Sequence, residues 1–156
     1  MSSFPEDLQV LYMAGPPNLA LAEQDPVVDL TVHNDEISSF LESYSSLSCN
    51  FKRFIFVSSA GTVYGDSHGD VRSEKSELRP KSAYGSRNVA LEKTVSSWAN
   101  HSQECMSIFR VSNPFGPGQF RFRCRGLVQG LIDSASSVQK ISISGNGYQK
   151  RDYIFS

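Results

Sequence analysis

The sequence predicts an α/β domain in which a parallel sheet is covered by helices. Strand-like and helix-like patterns alternate along the chain, the strand segments are apolar on both faces, and segments of small polar residues follow three of them. With 156 residues, of which 39% are hydrophobic and 20% charged, the chain has the composition of one globular domain with a buried core. Residues 1–156 are therefore interpreted as a single domain.

The first half of the chain contains two predicted strands with a helix between them. Residues 9–14 (QVLYMA) form a short apolar run that suits a buried strand. The Asp25-Pro26 pair then opens a stretch with apolar residues at helical spacing. Residues 51–58 (FKRFIFVS) are rich in aromatic and β-branched residues and predict the clearest strand. The small residues at 58–62 predict a tight turn after it.

The second half continues the alternation after a polar loop at residues 66–80. Ser82 is the predicted N-cap of a helix over residues 84–100. Residues 106–111 (MSIFRV) predict a third strand, which Asn113-Pro114 interrupts. The remaining predicted elements are a helix at 126–136, a short strand at 140–144 and a closing segment at 151–154.

Charge and cysteine content limit the possible partners. The net charge of −1 gives no reason to expect nucleic acid or an anionic membrane as a partner. The three cysteines and three histidines lie at wide spacings that form neither a disulfide framework nor a metal site. No apolar run approaches the roughly 18 residues that are needed to span a bilayer. These observations predict a cytoplasmic protein without a metal.

A ligand site is expected at one edge of the sheet, since ligands bind beyond the carboxyl ends of parallel strands. Loops 15–18, 58–65 and 113–118 should gather there, and all are built from small or polar residues. Tyr84 begins a helix close to these loops. A tyrosine in a site can serve as a general acid or base if a nearby cation favours its deprotonated form. From the residues alone, the favoured interpretation is that Tyr84 simply caps the core with its hydroxyl in water.

Four segments that occur in register resemble a known family. They are SSAGTVYG (58–65), SAYGSRNVALEK (82–93), RVSNPFGPGQ (110–119) and GNGYQKRDYIF (145–155). Together they resemble the NAD-dependent epimerase/dehydratase family, the extended short-chain dehydrogenase/reductases that include UDP-glucose 4-epimerase. The resemblance implies an incomplete Rossmann-like parallel sheet flanked by helices, and NAD as the cofactor.

The resemblance also implies roles for individual residues on the cofactor side. Tyr84 matches the catalytic tyrosine, which takes a proton from a sugar hydroxyl as hydride passes to the nicotinamide. Ala14 and Gly15 match a loop that lies against the dinucleotide. Ser58 is assigned to the same cofactor-binding side.

The substrate implied by the resemblance is a nucleotide sugar, with a UDP-hexose as the first choice. Asn113 matches an asparagine that holds the sugar nucleotide. Arg151 matches an arginine that pairs with its diphosphate, a role that suits a guanidinium fork. A surface arginine paired with an acidic neighbour is the alternative for Arg151. Members of the family commonly dimerise through the helix that contains the tyrosine, so the resemblance implies a homodimer.

The chain departs from the family pattern at the lysine of Tyr-x-x-x-Lys, where it has Asn88. That lysine binds the nicotinamide ribose and stabilises tyrosinate. Arg87 lies near the same helical face as Tyr84 and is the candidate substitute, so both residues are assigned to the cofactor side. We predict reduced turnover, which Asn88→Lys should raise in a chain completed with the missing segments.

A second departure lies in the turn after the second strand. Ala60 stands where related epimerases often have serine. The hydroxyl that orients the substrate would come from Thr62, which is slightly favoured, or from Ser59. Both hydroxyls could instead satisfy the backbone of the turn.

The third departure is the lack of a glycine-rich fingerprint before residue 9. Comparison with the family predicts that about three N-terminal strands and the C-terminal substrate lobe are missing, so the domain is partial.

Three alternatives remain for the function. An epimerase is favoured over a dehydratase because the turn at 60–62 has no acidic residue, and a reductase remains possible. A non-catalytic remnant or binding module of the same fold is the second alternative. An unrelated hydrolase is the third, but the chain has no G-x-S-x-G elbow and no histidine placed to serve as its base.

Overall fold

A computed structural model describes residues 7–13, 19–66, 70–117, 126–137, 146–148 and 150–155. Within these residues the elements follow one another as β1, α1, α2, β2, α3, α4, β3, β4, α5 and β5. The predicted strand at 140–144 and the predicted site residues Ala14 and Gly15 lie outside the described residues.

The main sheet has three parallel strands, which confirms the predicted fold class. These are β1 (Asp7–Tyr12), β2 (Phe51–Ser59) and β3 (Cys105–Val111), in the order β1-β2-β3. Tyr12 pairs with Phe56, and Ser59 pairs with Val111. Because all three strands run in the same direction, their carboxyl ends meet at one edge of the sheet.

Two helices precede β2. The longer one, α2 (Pro26–Ser45), starts where the sequence predicts, because the Asp25 carboxylate accepts a hydrogen bond from the Val28 N–H and a proline opens the first turn. A shorter helix, α1 (Leu19–Gln24), comes before it. It was not predicted, since 6 residues are too few for helical periodicity to be recognised.

The segment after β2 is a single helical turn, α3 (Ala60–Val63), rather than an irregular turn. The predicted helix after the polar loop is α4 (Ala83–Ser102), and its cap is confirmed, because the Ser82 hydroxyl accepts a hydrogen bond from the Gly85 N–H at 3.0 Å. Helix α4 ends at Gln103, which adopts a left-handed conformation with φ of 56°.

The core lies between one face of the sheet and helices α2 and α4. Phe54 and Phe56 of β2 point towards these helices, and Tyr12 and Trp98 pack against them. Removing a buried phenylalanine from such a core costs about 3–5 kcal/mol. The fully or almost fully buried members of the core are Ile37, Leu41, Tyr44, Phe54, Phe56, Leu91 and Val95.

A second sheet forms from segments far apart in the sequence. Strand β4 (Asn113–Phe115) pairs in parallel with β5 (Tyr153–Phe155). The Asn-Pro segment, predicted as a break, is therefore a short strand. Between them lies α5 (Leu127–Ser137), in which no residue is buried. The pairing of β4 with β5 brings Asn113 and Arg151 to the same region of the molecule.

Candidate active site

The start of α4 lies directly against α3 at the carboxyl edge of the sheet. A Cβ added to Gly85 would lie only 2.8 Å from the carbonyl oxygen of Thr62 and 3.0 Å from the Cβ of Pro80. Real side chains do not tolerate such distances to backbone, so only glycine allows this approach. Tyr84, the residue before Gly85, is therefore held beside the segment that follows β2.

Two side chains satisfy the amino end of α4. The Ser82 hydroxyl accepts a hydrogen bond from the Gly85 N–H, and a Glu23 carboxylate oxygen accepts one from the Ala83 N–H at 2.6 Å. A carboxylate at this position also interacts favourably with the helix dipole. Glu23 belongs to α1, so the unpredicted helix helps to fix the position of Tyr84.

Arg87 lies over the ring of the half-buried Tyr84. The guanidinium carbon is 4.7 Å from the ring centroid, which is a cation–π contact. Arg87 Nη1 donates to both carboxylate oxygens of Asp29 at 2.9 and 3.1 Å. The Arg87 and Asp29 side chains are only 3% and 8% exposed. The guanidinium is thus paired inside the protein, beside the phenol ring.

Asn88 is also engaged within the protein. Its side-chain amide donates a hydrogen bond to the carbonyl oxygen of Tyr84 at 3.0 Å, one turn earlier in the same helix. The residue is buried. An asparagine held in this way supplies no cation to the site. The assignments of Arg87 and Asn88 to the cofactor side stay predictions.

The predicted hydroxyls belong to Ser58 and Ser59, which end β2, and to Thr62 of α3. Thr62 Oγ1 donates to the carbonyl oxygen of Ser59 at 3.4 Å, which is the backbone-satisfying role that the sequence left open. The Ser58 hydroxyl is buried and has no hydrogen-bond partner among the described residues. An orphaned buried hydroxyl at the carboxyl edge of a sheet fits a polar ligand group.

Asn113 and Arg151 meet near α3. Asn113 Nδ2 donates to the carbonyl oxygen of Asp152 at 2.8 Å, and its Oδ1 would lie 3.5 Å from a Cβ at Gly61. Arg151 Nη1 donates to the carbonyl oxygen of Gly61 at 3.3 Å. Both line a cavity of about 420 Å³, whose other lining residues include Ala60, Tyr64, Arg72 and Lys150.

A partly buried ion pair, which was not predicted from the sequence, joins β3 to α4. Arg110 Nε and Nη2 bind the Glu92 carboxylate at 2.7–3.1 Å, and Arg110 Nη1 donates to the Tyr64 hydroxyl at 2.8 Å. The hydrogen bond to Glu92 raises the pKa of Arg110 further above its usual value. Two signals could have indicated the pair. Arg110 interrupts an apolar strand, and Glu92 lies two helical turns after Tyr84.

Two further searches concern the described residues only. No three histidine, cysteine or carboxylate side chains among them come together as a metal site. None of the helices in those ranges has the length and apolar character to cross a bilayer.

The fold and the site define an α/β protein with a parallel sheet and, at the carboxyl edge of the sheet, a helix with a tyrosine in its first turn. The chain belongs to the NAD dependent epimerase/dehydratase family, whose sequence model matches residues 13–156. The description of the family agrees with the predicted cofactor.

Known relatives are similar over part of their length. A dTDP-4-dehydro-6-deoxyglucose reductase of Escherichia coli is 35% identical over 104 residues, covering 67% of this chain and 33% of the relative. A putative UDP-glucose 4-epimerase of Methanocaldococcus jannaschii is 25% identical over 146 residues, covering 94% of this chain and 47% of the relative.

Among solved structures, the UDP-glucose 4-epimerase of Thermotoga maritima, crystallised with UDP-glucose, superposes with a TM-score of 0.81 and 24% identity. The match covers 97% of this chain and 48% of that one. This likeness shows the fold. These three matches cover 33%, 47% and 48% of the other protein, so the chain spans at most about half of the length of these three proteins.

Proposed function

We propose that this chain carries the tyrosine side of the active site of an NAD-dependent sugar-nucleotide epimerase. Tyr84 would act as the acid/base that takes a proton from a sugar hydroxyl. The observation that carries the proposal is the packing of the start of α4 against α3, in a chain that belongs to this family. That contact holds a phenol beside the carboxyl ends of parallel strands, where ligands bind in such sheets.

The residues at the sheet edge fit a dinucleotide in one respect. The Ser58 hydroxyl is buried and without a partner among the described residues, so it can bind a polar group of NAD. When bound, NAD would accept and return the hydride at the sugar carbon. The residues proposed to bind the cofactor are Ser58, Tyr84, Ala14 and Gly15. Arg87 and Asn88, which follow Tyr84 in α4, are proposed for the same side of the site.

The substrate side of the proposal rests on Asn113 and Arg151. They line one cavity together with α3, and Arg151 is exposed, so its guanidinium can exchange the Gly61 carbonyl for diphosphate oxygens. We propose a UDP-hexose as the substrate. The relatives support a nucleotide sugar, because their names include UDP-glucose and dTDP-deoxyhexose enzymes.

The role of Tyr84 is tested by removing its hydroxyl. Tyr84→Phe should lower the interconversion of UDP-galactose and UDP-glucose by the full chain with NAD by about 10²–10⁴-fold, because positioned acid/base groups contribute that much. Tyr148→Phe, at a side chain that is 85% exposed, is the matched control and should keep the rate of the unmodified chain. An unchanged rate in Tyr84→Phe would contradict the proposal.

The missing lysine is tested by restoring it. Asn88→Lys places a cation one helical turn from Tyr84, so we expect turnover to rise. The rise should appear in kcat, with NADH binding followed by fluorescence as a separate measurement. Asn88→Gln extends the side chain without adding charge and should not raise turnover. Equal rates for the lysine and glutamine variants would count against this account.

A non-catalytic binding module of the same fold is the second candidate. Two observations favour it: Ala60 offers no hydroxyl, and Asn88 donates to its own helix backbone. This candidate predicts that NADH binds while no variant at position 88 produces turnover. A dehydratase or reductase is a third candidate, and product analysis with a dTDP-hexose would separate it from an epimerase.

We also propose a homodimer and a cytoplasmic location. The two described cysteines, Cys49 and Cys105, are not in a disulfide, which supports a reducing compartment. Analytical ultracentrifugation of the full chain would test the dimer.

A further inference from the structure

Two carboxylates from the α1–α2 corner contact α4 on either side of Tyr84. Glu23 of α1 accepts from the N–H of Ala83, the residue before Tyr84. Asp29 of α2 binds Arg87, three residues after it. The tyrosine is therefore bracketed by contacts from a part of the chain about 58 residues away in sequence.

Of these contacts, the one through Arg87 acts on the ring itself. The guanidinium carbon lies 4.7 Å from the ring centroid. Two hydrogen bonds from Nη1 to the Asp29 carboxylate hold the guanidinium in this position. With 3% of its side chain exposed, Arg87 cannot swing out to water. Its Nε has no hydrogen-bond partner among the described residues. The guanidinium therefore interacts with the Asp29 carboxylate and the Tyr84 ring.

Asp29 is itself held in place. His33 Nδ1 lies 2.7 Å from the carbonyl oxygen of Asp29 and 3.6 Å from its carboxylate. Asp29 is thus buried between Arg87 and His33 on the inner side of α2. The anchor of the guanidinium belongs to a packed helix and not to a loop.

We propose that Arg87, anchored by Asp29, is the positioning residue that fixes the ring of Tyr84 for proton transfer. A phenol alone at the start of a helix can rotate about two side-chain bonds, whereas a guanidinium plane over its face restricts the ring. Asn88 supplies no charge at the usual position, whereas the guanidinium of the buried pair lies over the phenol ring. The inference rests on the proposed function, because the orientation of the Tyr84 ring affects proton transfer only if Tyr84 is the acid/base.

The orientation of the ring can be measured without turnover. The full chain labelled with 3-fluorotyrosine gives a fluorine NMR resonance for Tyr84, which is assigned by its loss in Tyr84→Phe. Arg87→Met, which keeps an unbranched side chain but removes the guanidinium and its charge, should shift and broaden this resonance. Arg87→Lys should move it less. Arg79→Met removes an exposed arginine that pairs with Glu77, so it is the matched control and should leave the resonance unchanged.

The anchor is tested by Asp29→Asn, which keeps the shape of the side chain and removes its charge. It should move the Tyr84 resonance in the same direction as Arg87→Met. If circular dichroism shows that Arg87→Met does not fold, Asp29→Asn and Arg87→Lys decide the question. A Tyr84 resonance of the same position and width in the folded variants and the unmodified chain would overturn the inference.

Kinetics separate positioning from binding. In Arg87→Met we expect kcat to fall by about 10–100-fold, the penalty of a misplaced reacting group, while KM for UDP-glucose stays within about two-fold. Arg87→Lys should recover part of kcat. A rise of KM with unchanged kcat would contradict a positioning role. If the unmodified chain and Tyr84→Phe have the same rate, the proposed function fails, and the fluorine resonance still decides whether Arg87 orients the ring.

Discussion

At the scale of single residues, Tyr44 illustrates how burial changes an ionisable group. Its ring packs against Phe54 and Trp98, and its hydroxyl has no hydrogen-bond partner among the described residues. Burial, with a smaller contribution from the Glu104 carboxylate, raises the pKa of Tyr44 from 10.0 to about 12. The folded state therefore holds the proton over a range in which the unfolded chain has released it.

The direction of the pH dependence follows from this difference. The contribution of Tyr44 to the free energy of unfolding is complete below pH 10 and is lost as the pH rises to about 12. The loss amounts to about 3 kcal/mol, at 1.36 kcal/mol for each pH unit.

Tyr44→Phe should remove this alkaline loss. It should also raise the free energy of unfolding at neutral pH by about 1 kcal/mol, since a buried unpaired hydroxyl disappears. Urea unfolding between pH 7 and 12 measures both effects, with the exposed Tyr148→Phe as control. Parallel pH curves for Tyr44→Phe and the unmodified chain would show that Tyr44 is not the source.

Arg87 shows how burial also affects a residue of the candidate site. Helical spacing puts it near Tyr84, as the sequence predicts, but spacing cannot tell whether its charge points to a cofactor or to another helix. In the structure the guanidinium pairs with the Asp29 carboxylate of α2, because a buried guanidinium needs a partner. Its assignment to the cofactor side stays a prediction.

At the scale of elements, the position of α4 depends on a single glycine. A side chain at Gly85 would collide with the Thr62 carbonyl, so α4 would have to move away from α3. By contrast, a Cβ added to Gly130 in α5 meets nothing within 4 Å.

These two glycines give a matched pair of predictions. Gly85→Ala should lower the free energy of unfolding by about 1–3 kcal/mol, the usual cost of overpacking, and should reduce any turnover that depends on Tyr84. Gly130→Ala should raise it by about 0.5–1 kcal/mol, because alanine loses less backbone entropy in a helix. Thermal or urea unfolding checks both signs. A gain of stability in Gly85→Ala would mean that α4 does not lie as close to α3 as described.

At the scale of the whole molecule, burial is unevenly distributed. Strand β2 and helices α2 and α4 contain most of the buried core, whereas α5 has no buried residue. The sheet face opposite α2 and α4 is also open, with Leu11 and Phe109 each 52% exposed.

Hydrogen exchange should follow this distribution. Amides of β2 are expected to exchange only through global unfolding, while those of α5 exchange through local opening at a small fraction of that free energy. Exchange followed by mass spectrometry on the full chain measures both. Equal protection of α5 and β2 would show that another surface covers α5 in solution.

Local patterns in the sequence predict the helices, the strands and the edge at which they meet. Alternating patterns predicted a parallel sheet, Asp25-Pro26 and Ser82 marked two helix starts, and the small residues after β2 marked the edge of the site. These signals are readable because capping and periodicity act between residues a few positions apart.

The pairing of charges and the formation of the short strands depend on contacts between distant parts of the chain. Arg87 pairs with Asp29, 58 residues away in the sequence, and Arg110 pairs with Glu92, 18 residues away. Strand β4 pairs with β5, about 40 residues away. Such partners depend on how helices pack on the sheet, and local sequence does not record that packing. A buried charge or an unpaired strand edge is costly unless it has a partner, and the packing of the whole fold determines which partner lies within hydrogen-bonding distance.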